Sequence, residues 1–409
     1  VESHATHSAA QDLGVAAQDS LRAAMSFQGR GGGFGGGGGG RGGASFGSSR
    51  GSGGGFGSSK GGGKGGGRSS GKGGGRSYSN DWGGSKGGSK GKGKPTSSAK
   101  LPIKQAVLTG HTDTVTCLAV CEAKKQFYSG SQDGTVKVWG WDNAFQCVHT
   151  VPAGAPVQCI YSFDAWLFAG TASVTGPSGV VHGVVRVWHT ENGFEQTLEG
   201  HQGAIFCLAQ GGAYLFSGGE DMGVKTWQFA NERFEPLTQL MGHTAPIQSM
   251  RVVGGSLITG DRNGAILIWD VTNGQQTSSF ATQHTAHMLS IWVEAEFLFT
   301  AGLDGAVKVW DTAGTLQFEQ HVTDQHNQPS GITSMLVVPD GPESSVLVTA
   351  CTDKALKMWG MPSFQKRGIL ASRAGHSDTV RCLAKGPGNS FFSGGMDHQI
   401  IVWEWEPQS

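Results

Sequence analysis

The sequence predicts an all-β fold, a closed seven-bladed propeller behind a disordered, basic, glycine-rich tail, and three observations predict it. Seven segments share an aliphatic alternation closed by tryptophan: TVKVW, VVRVW, GVKTW, AILIW, AVKVW, ALKMW and QIIVW, ending at Trp139, Trp188, Trp227, Trp269, Trp310, Trp359 and Trp403. The gaps between these tryptophans are 49, 39, 42, 41, 49 and 44 residues, the period of one repeated structural unit. Composition then divides the chain, because residues 26–100 are dominated by Gly, Ser, Lys and Arg and offer almost no apolar surface for a core. A unit that short cannot bury its own faces, so seven of them must form an array.

Each unit carries further recurring residues. Upstream lies Gly110-His111, Gly200-His201, Gly242-His243 or Gly375-His376, with Gln283-His284 as a near copy, 26 to 28 residues before the tryptophan. Six residues before the tryptophan stands Asp133, Asp221, Asp304, Asp353 or Asp397, and Asn263 takes that place in the fourth unit. Ahead of each turn is a hydroxyl beside a small residue: Ser129, Ser217, Thr259, Thr300, Thr349 and Ser393. The strand before each tryptophan alternates, as in Val136, Lys137, Val138, Trp139, so its two faces pack on different neighbours. Glycine in Asp133-Gly134, Asn263-Gly264 and Asp304-Gly305 supplies the positive φ of a tight hairpin.

These features resemble the WD40 repeat, whose signature is Gly-His followed by Trp-Asp; literal Trp-Asp stands at Trp269-Asp270 and Trp310-Asp311. The resemblance covers residues 101–409. It implies four-stranded antiparallel blades around a channel. It also implies a buried hydrogen-bonded chain within a blade, made here of His111, Ser129, Asp133 and Trp139; His201, Ser217, Asp221 and Trp227; His243 and Trp269; His284, Asp304 and Trp310; Asp353 and Trp359; and His376, Asp397 and Trp403. A satisfied network of that kind specifies register where aliphatic packing alone does not.

The ends of the array predict how it closes. Only six residues follow Trp403, too few for a turn and an outer strand, while an unassigned strand-like segment, Ile103 to Leu108, precedes the first Gly-His. That segment is expected to pair as the outer strand of the last blade. Two units are degenerate. Ala153 sits in the histidine place of the second, where Ala172 to Val184 stretches the turn before Trp188; Gln328 replaces the histidine of the sixth, where Pro339 to Ser345 lengthens a hairpin. These blades should rely on apolar packing, and their longer loops are candidate contact surfaces.

The formal charge of zero describes no part of the chain. Residues 26–100 carry 13 Lys and Arg against Asp81, while residues 101–409 carry 17 basic and 27 acidic side chains. An acidic body with a cationic tail points to a polyanionic partner or to attraction between tail and body. The tail holds Arg-Gly-Gly elements and spaced aromatics, and it is similar to the glycine/arginine-rich boxes of RNA-binding proteins. The RNA-contacting candidates are Arg30, Phe34, Arg41, Phe46, Arg50, Phe56, Arg68, Arg76 and Tyr78. Guanidinium groups pair with phosphates and stack on bases, aromatics add stacking, and glycine lets both adapt. A flexible soluble linker is the other reading of the same composition.

Residues 1–25 read as an unstructured leader or upstream fragment, with Met25 standing where the compositional tail begins. They lack the apolar core of a signal peptide, and no stretch reaches transmembrane length, so the expectation is an intracellular protein, nuclear or cytoplasmic. Seven cysteines occur, all from position 117 onward; Cys117, Cys159, Cys207 and Cys382 share a repeat position with Ser249, Ser290 and Ser334. A place that accepts either Cys or Ser reads as a small buried site, not a metal ligand. The propeller's wording, in LTGHTDTVTCLAV, YSGSQDGTVKVW, MPSFQKRGIL and GPGNSFFSGG, resembles the plant family that joins CCCH zinc fingers to a WD40 propeller. Residues 1–116 contain no cysteine, so the zinc is not carried over. RNA association is the property the resemblance leaves, with the tail in the finger's place.

No catalytic residue, metal or cofactor is assigned. Ser129, His111 and Asp133 imitate a hydrolase triad, but the set recurs along the chain as a structural network does. Gly88 to Lys94 imitates a phosphate loop, yet Pro95 stands where Ser or Thr must bind magnesium. His321, Asp324 and His326 read as solvated loop polars. Function therefore rests on the face that carries the Gly-His loops and Asp turns. Asp113, Gln132, Glu220, Arg262, Asp378 and Met396 are the candidate protein contacts there. Two readings stand open: a ribonucleoprotein scaffold whose tail holds RNA, and a protein-only adaptor of a ubiquitin-ligation or signalling complex with an inert tail.

Overall fold

The computed structural model describes residues 101–176, 179–340, 344–371 and 375–405. The leader and the tail candidates from Arg30 to Tyr78 lie outside the described residues. Within them the chain forms seven antiparallel sheets arranged radially. The first blade is typical: inner strand Val115–Cys121, then Gln126–Ser131, Thr135–Gly140 and outer strand Gln146–Pro152. The other inner strands are Val157–Phe163, Ile205–Gly211, Ile247–Val253, Met288–Glu294, Ile332–Pro339 and Val380–Lys385. Each packs on the inner strands of its two neighbours, and the last packs on the first, so the ring is closed.

Closure uses the segment its sequence singles out. Ile103–Leu108 pairs antiparallel with Ile400–Glu404, with Leu108 opposite Ile400 and Ile103 opposite Glu404. The last blade thus takes its outer strand from the start of the propeller and its other three from the end. Leu108 is buried beside Val402 in the seam between the seventh and first blades.

The seams show what the repeated tryptophan does. Trp139 packs with Phe392, Ile400 and Val402 of the seventh blade, and Trp188 with Tyr128, Val136 and Val138 of the first. Trp227 sits with Phe168, Val185 and Val187 of the second, Trp269 with Phe216 and Val224 of the third, and Trp310 with Ile258 and Ile268 of the fourth. Trp359 meets Phe299, Val307 and Val309, and Trp403 meets Val346, Val348 and Met358. All seven indoles therefore fill the seam with the preceding blade. An indole buries about 200 Å² of surface, so each is worth about 5 kcal/mol at ~25 cal/mol per Å².

The small residue beside each hydroxyl serves the opposite seam. A Cβ added at Gly130 would lie 2.5 Å from Val157 Cγ1 and 2.9 Å from Ile160 Cδ1 of the next blade. Gly170, Gly218, Gly260 and Gly394 are as tightly covered by following-blade side chains, and Ala301 and Ala350 fill the remaining two places. Seven blades can lie close because this strand position has almost no side chain.

A bulge interrupts every inner strand at one place, between Val115 and Cys117 in the first blade and between Val380 and Cys382 in the last. The other five inner strands repeat it. It leaves Thr116, Gln158, Phe206, Gln248, Leu289, Thr333 and Arg381 unpaired in the ladder, and all seven line the upper channel. Thr116 donates to Val157 O and Thr333 to Val380 O, each tying its blade to the next. The stretched turn of the second blade differs from a plain loop. Val174–Thr175 pairs with the start of Val181–His189 and extends the hairpin as a ribbon, leaving Val174, Val180 and Val181 exposed.

Removing residues 101–109 should strip the last blade of its outer strand and uncover the seam beside Trp139. The expected outcome is a Tm lowered by roughly 10 °C or more, read by calorimetry, on a scale of ~2–4 °C per kcal/mol for a large domain. An unchanged Tm would contradict the closure.

Candidate protein-binding face and the relay beneath it

Strand direction puts the turns holding the aspartates and the loops holding the histidines at one end of the ring. Beneath that face, five blades contain a complete relay. In the first, Trp139 Nε1 donates to Ser129 Oγ at 2.8 Å, Ser129 Oγ lies 2.7 Å from His111 Nε2, and His111 Nδ1 lies 2.8 Å from Asp133 Oδ2. The third blade joins Trp227, Ser217, His201 and Asp221 in the same way, and the seventh joins Trp403, Ser393, His376 and Asp397. In the fifth, Trp310 donates to Thr300 and His284 bridges to Asp304. The sense of each relay follows from the inventory of donors: the carboxylate accepts from Nδ1–H, which leaves Nε2 to accept from the hydroxyl, whose oxygen accepts the indole N–H.

The fourth blade corrects the sequence-based placing. Asn263 stands where the other blades have aspartate, but the carboxylate comes from Asp261, two residues earlier. Asp261 Oδ2 lies 3.1 Å from His243 Nδ1, and Oδ1 accepts from the backbone of Asn263 and Ala265. His243 reaches Thr259 at 2.8 Å, and Trp269 Nε1 donates to the same hydroxyl. Ser131 occupies the equivalent strand end in the first blade, so an aspartate there can reach the histidine without the turn.

Asp353 and Trp359 are the second correction. No histidine joins them. Asp353 Oδ2 instead pairs with buried Lys357 Nζ at 2.5 Å, and Lys357 also donates to Thr323 O. Trp359 Nε1 is buried without a partner, as is Trp188 Nε1 in the second blade, where Ala153 and Ala169 replace the histidine and the hydroxyl. Arg186 lies over the Trp188 ring at 5.6 Å and covers its outer side.

The candidate contact residues divide by environment. Asp113, Glu220 and Met396 are exposed, whereas Gln132, Arg262 and Asp378 are half-buried. Gln132, Glu220, Arg262 and Met396 share one place, first in the turn, where the backbone N–H donates across to the preceding loop in all seven blades. Arg262 lies 5.9 Å above the Phe206 ring, Glu220 accepts from Ala204 N, and Lys354 pairs with Asp378. The same end of the ring holds apolar side chains that sequence reading did not pick out: Met222, Met241 and Leu303 are exposed alongside Met396. Met222 adopts φ 61, where glycine stands in three other blades, and a non-glycine residue there costs about 1 kcal/mol. Four Met and Leu exposed on ordered turns form an adaptable apolar rim.

Among the described residues no group of His, Cys, Asp and Glu could hold a metal ion, and no helix is long and apolar enough to cross a membrane. Asp324 accepts from the backbone of His326 and Gln328, the geometry of a loop cap. Burial pushes the Cys117 thiol up to about 12 and lifts those of Cys159, Cys207 and Cys382 as well, so these four are poor thiolates at neutral pH.

Two predictions follow from the relay. Replacing Trp403 by Phe leaves Ser393 Oγ without the indole donor, whereas the same change at Trp359 removes an N–H that bonds nothing. Both changes open a similar gap, so Trp403→Phe should cost about 1–3 kcal/mol more in chemical denaturation than Trp359→Phe. Acid should also unfold the propeller in two stages. Burial lowers the pKa of His111 despite Asp133, so the unfolded chain takes up that proton first and stability falls as pH drops below about 6.5. Burial pushes Asp133 up, but hydrogen bonds from Thr135, His111 and Thr112 outweigh it and hold the carboxyl at about 2; Asp221, Asp304 and Asp397 are lowered likewise. Their contribution is complete above about pH 4 and lost towards pH 2, so Tm should fall most steeply in that window.

A sequence profile described as "WD domain, G-beta repeat" matches residues 103–140, 193–228 and 368–404. Zinc finger CCCH domain-containing protein 17 of Oryza sativa subsp. japonica is 34% identical over 302 residues, covering 73% of this chain and 65% of its own length. Zinc finger CCCH domain-containing protein 62 of Arabidopsis thaliana is 30% identical over 303 residues, covering 73% of this chain and 68% of its own. Nuclear distribution protein PAC1 of Arthroderma otae is 27% identical over 254 residues, 54% of each chain. The chain thus spans just under two thirds of the rice protein that it matches. With seven closed blades, the repeat profile and these relatives in agreement, the chain belongs to the WD40-repeat β-propeller family.

Proposed function

We propose that this chain is a non-catalytic scaffold of a ribonucleoprotein assembly, in which the propeller binds protein partners and the tail holds RNA. The propeller fold supports a protein-interaction role, and the observation that carries the reading is the rim of Met222, Met241, Leu303 and Met396. Interfaces are enriched in methionine at their buried centre and rimmed by polar groups, here Asp113, Glu220 and Arg262. The valine ribbon of the second blade stands at the same end of the ring and widens the surface. The triad-like sets beneath the face are spent on holding strands together, which supports binding over turnover.

RNA contact rests on the tail's 13 cations and spaced aromatics, a combination that binds single strands with little sequence preference. The rice and Arabidopsis relatives are named as CCCH zinc finger proteins, and in this reading the basic tail takes the place of such a finger. Free cysteines throughout the described residues fit a reducing compartment inside the cell. Ultraviolet crosslinking to RNA should be strong for the full chain and fall by an order of magnitude or more when residues 26–100 are removed. Equal, negligible signal from both forms would refute the RNA role and leave a protein-only adaptor. Partner capture lost in a Met222→Ser, Met241→Ser, Leu303→Ser and Met396→Ser combination, with Tm unchanged, would tie the protein role to the rim.

A further inference from the structure

The central channel reverses the charge of the body that encloses it. Two cavities run along it, of about 240 Å³ on the side of the bulges and about 260 Å³ beyond, and Arg251 lines both. Arg381 lines the first and Lys385 the second; no Asp or Glu lines either. Residues 101–409 have 27 acidic side chains against 17 basic ones, so two cavities whose charged lining is cationic depart from the surrounding composition; the nearest carboxylate to the second is Glu294, which accepts from Trp292 Nε1.

We propose that this channel is a binding site for a small multivalent oxyanion of the phosphate class. Arg251 is the central element. Its side chain is accessible to channel solvent although protein encloses it, its Nε donates to Ile291 O at 3.3 Å, and its guanidinium lies 5.1 Å from the Trp292 ring. One edge of the guanidinium is thereby anchored, and the terminal nitrogens remain available in a fixed orientation. The arginines that form ion pairs, Arg186 and Arg367, lie on other strands, with Glu195 and Asp340 as partners. Loss of hydration lowers the Arg251 pKa, with Tyr161 opposing, which is the mark of an enclosed cation lacking a strong counter-charge.

The remaining lining suits an anion. Arg381 and Lys385 are both exposed to the channel on Val380–Lys385, about 13 Å apart along an extended strand, so charge runs the length of the lumen. Ser249, Ser290 and Ser334 also line the first cavity, with Ser249 Oγ accepting from Ile291 N across the seam. Each cavity has roughly eight waters' share of liquid volume, room for two or three linked phosphate groups. Low-dielectric walls focus a field of one sign, and arginine matches phosphate oxygens with paired donors.

The tail complicates a simple binding assay, because its cations attract any polyanion. Thermal stabilisation separates the two. A ligand raises Tm only by binding the folded state more tightly than the unfolded, and the tail is present in both. The full chain with inorganic tripolyphosphate should show a Tm rise of roughly 5 °C at 100 times the dissociation constant. Sulfate at equal ionic strength is the control for general salting effects. The rise should vanish in Arg251→Gln and in Arg381→Gln with Lys385→Gln; the second variant alters only exposed channel side chains and keeps the test independent of Trp292 packing. No rise in the native chain, or a rise that survives the double variant, would overturn the site.

Discussion

A four-stranded blade presents two apolar faces and can bury neither within itself, so the propeller exists only through its seams. The recurring tryptophan is the residue that fills them. Its ring lies against the preceding blade in every case, from Trp139 on Phe392 to Trp403 on Val346 and Val348. The indole N–H is a smaller matter, worth about 1 kcal/mol net against about 5 for burying the ring. That ordering explains the degenerate blades. Trp188 and Trp359 keep the seam although their N–H groups have no acceptor, so histidine and hydroxyl can be lost where tryptophan cannot.

The relay then decides register rather than mass stability. Each complete relay links a loop and two strands of one blade with its turn, or in the fourth blade with the strand end at Asp261, and a slip of one residue would move every member to the wrong face. Where it is absent, other polar groups take over the task locally. In the sixth blade Lys357 pairs with Asp353 inside the blade. At its far end Asp340 is buried between Arg367 and Trp405, accepting from both, and so fastens the sixth blade to the last turn of the seventh. Buried ion pairs of this kind barely repay their desolvation, but breaking one by removing a partner is costly, which makes them markers of position.

The fold was legible because its determinant is periodic: seven tryptophans at a near-constant gap are visible without any structure, and so is the spare strand at Ile103 that closes the ring. Single relay members were less so. Spacing from Trp269 points to Asn263, but the histidine needs only a carboxylate within reach, and Asp261 supplies it from the strand end. In the sixth blade the same spacing nominates Asp353, whose partner is lysine. The apolar rim was legible only in part. Met396 lies beside a recognisable turn, while Met222 and Met241 follow or precede motif residues and look like core by composition; their exposure emerges only from the fold. The cationic lumen could not be read at all, because Arg251, Arg381 and Lys385 converge through ring closure and share no motif.

The three systems occupy separate atoms, which is why one repeat can support them together. Seam residues point between blades, relay residues point along the blade beneath the histidine face, and the bulge sends one side chain per inner strand towards the axis. The seam tolerates little change, since Gly130, Gly170, Gly218, Gly260 and Gly394 have no room for a methyl group and the two remaining places hold nothing larger than Ala301 and Ala350. The bulge position tolerates much, holding Thr116, Phe206, Gln248 and Arg381 at equivalent places around one ring. Where such a side chain is exposed to channel solvent, as Arg381 is, and not tied to the next blade, as Thr116 and Thr333 are, its chemistry can change at little cost to the fold. Binding specificity is therefore free to reside at the axis and on the rim, while the tryptophans hold the geometry that brings those positions together.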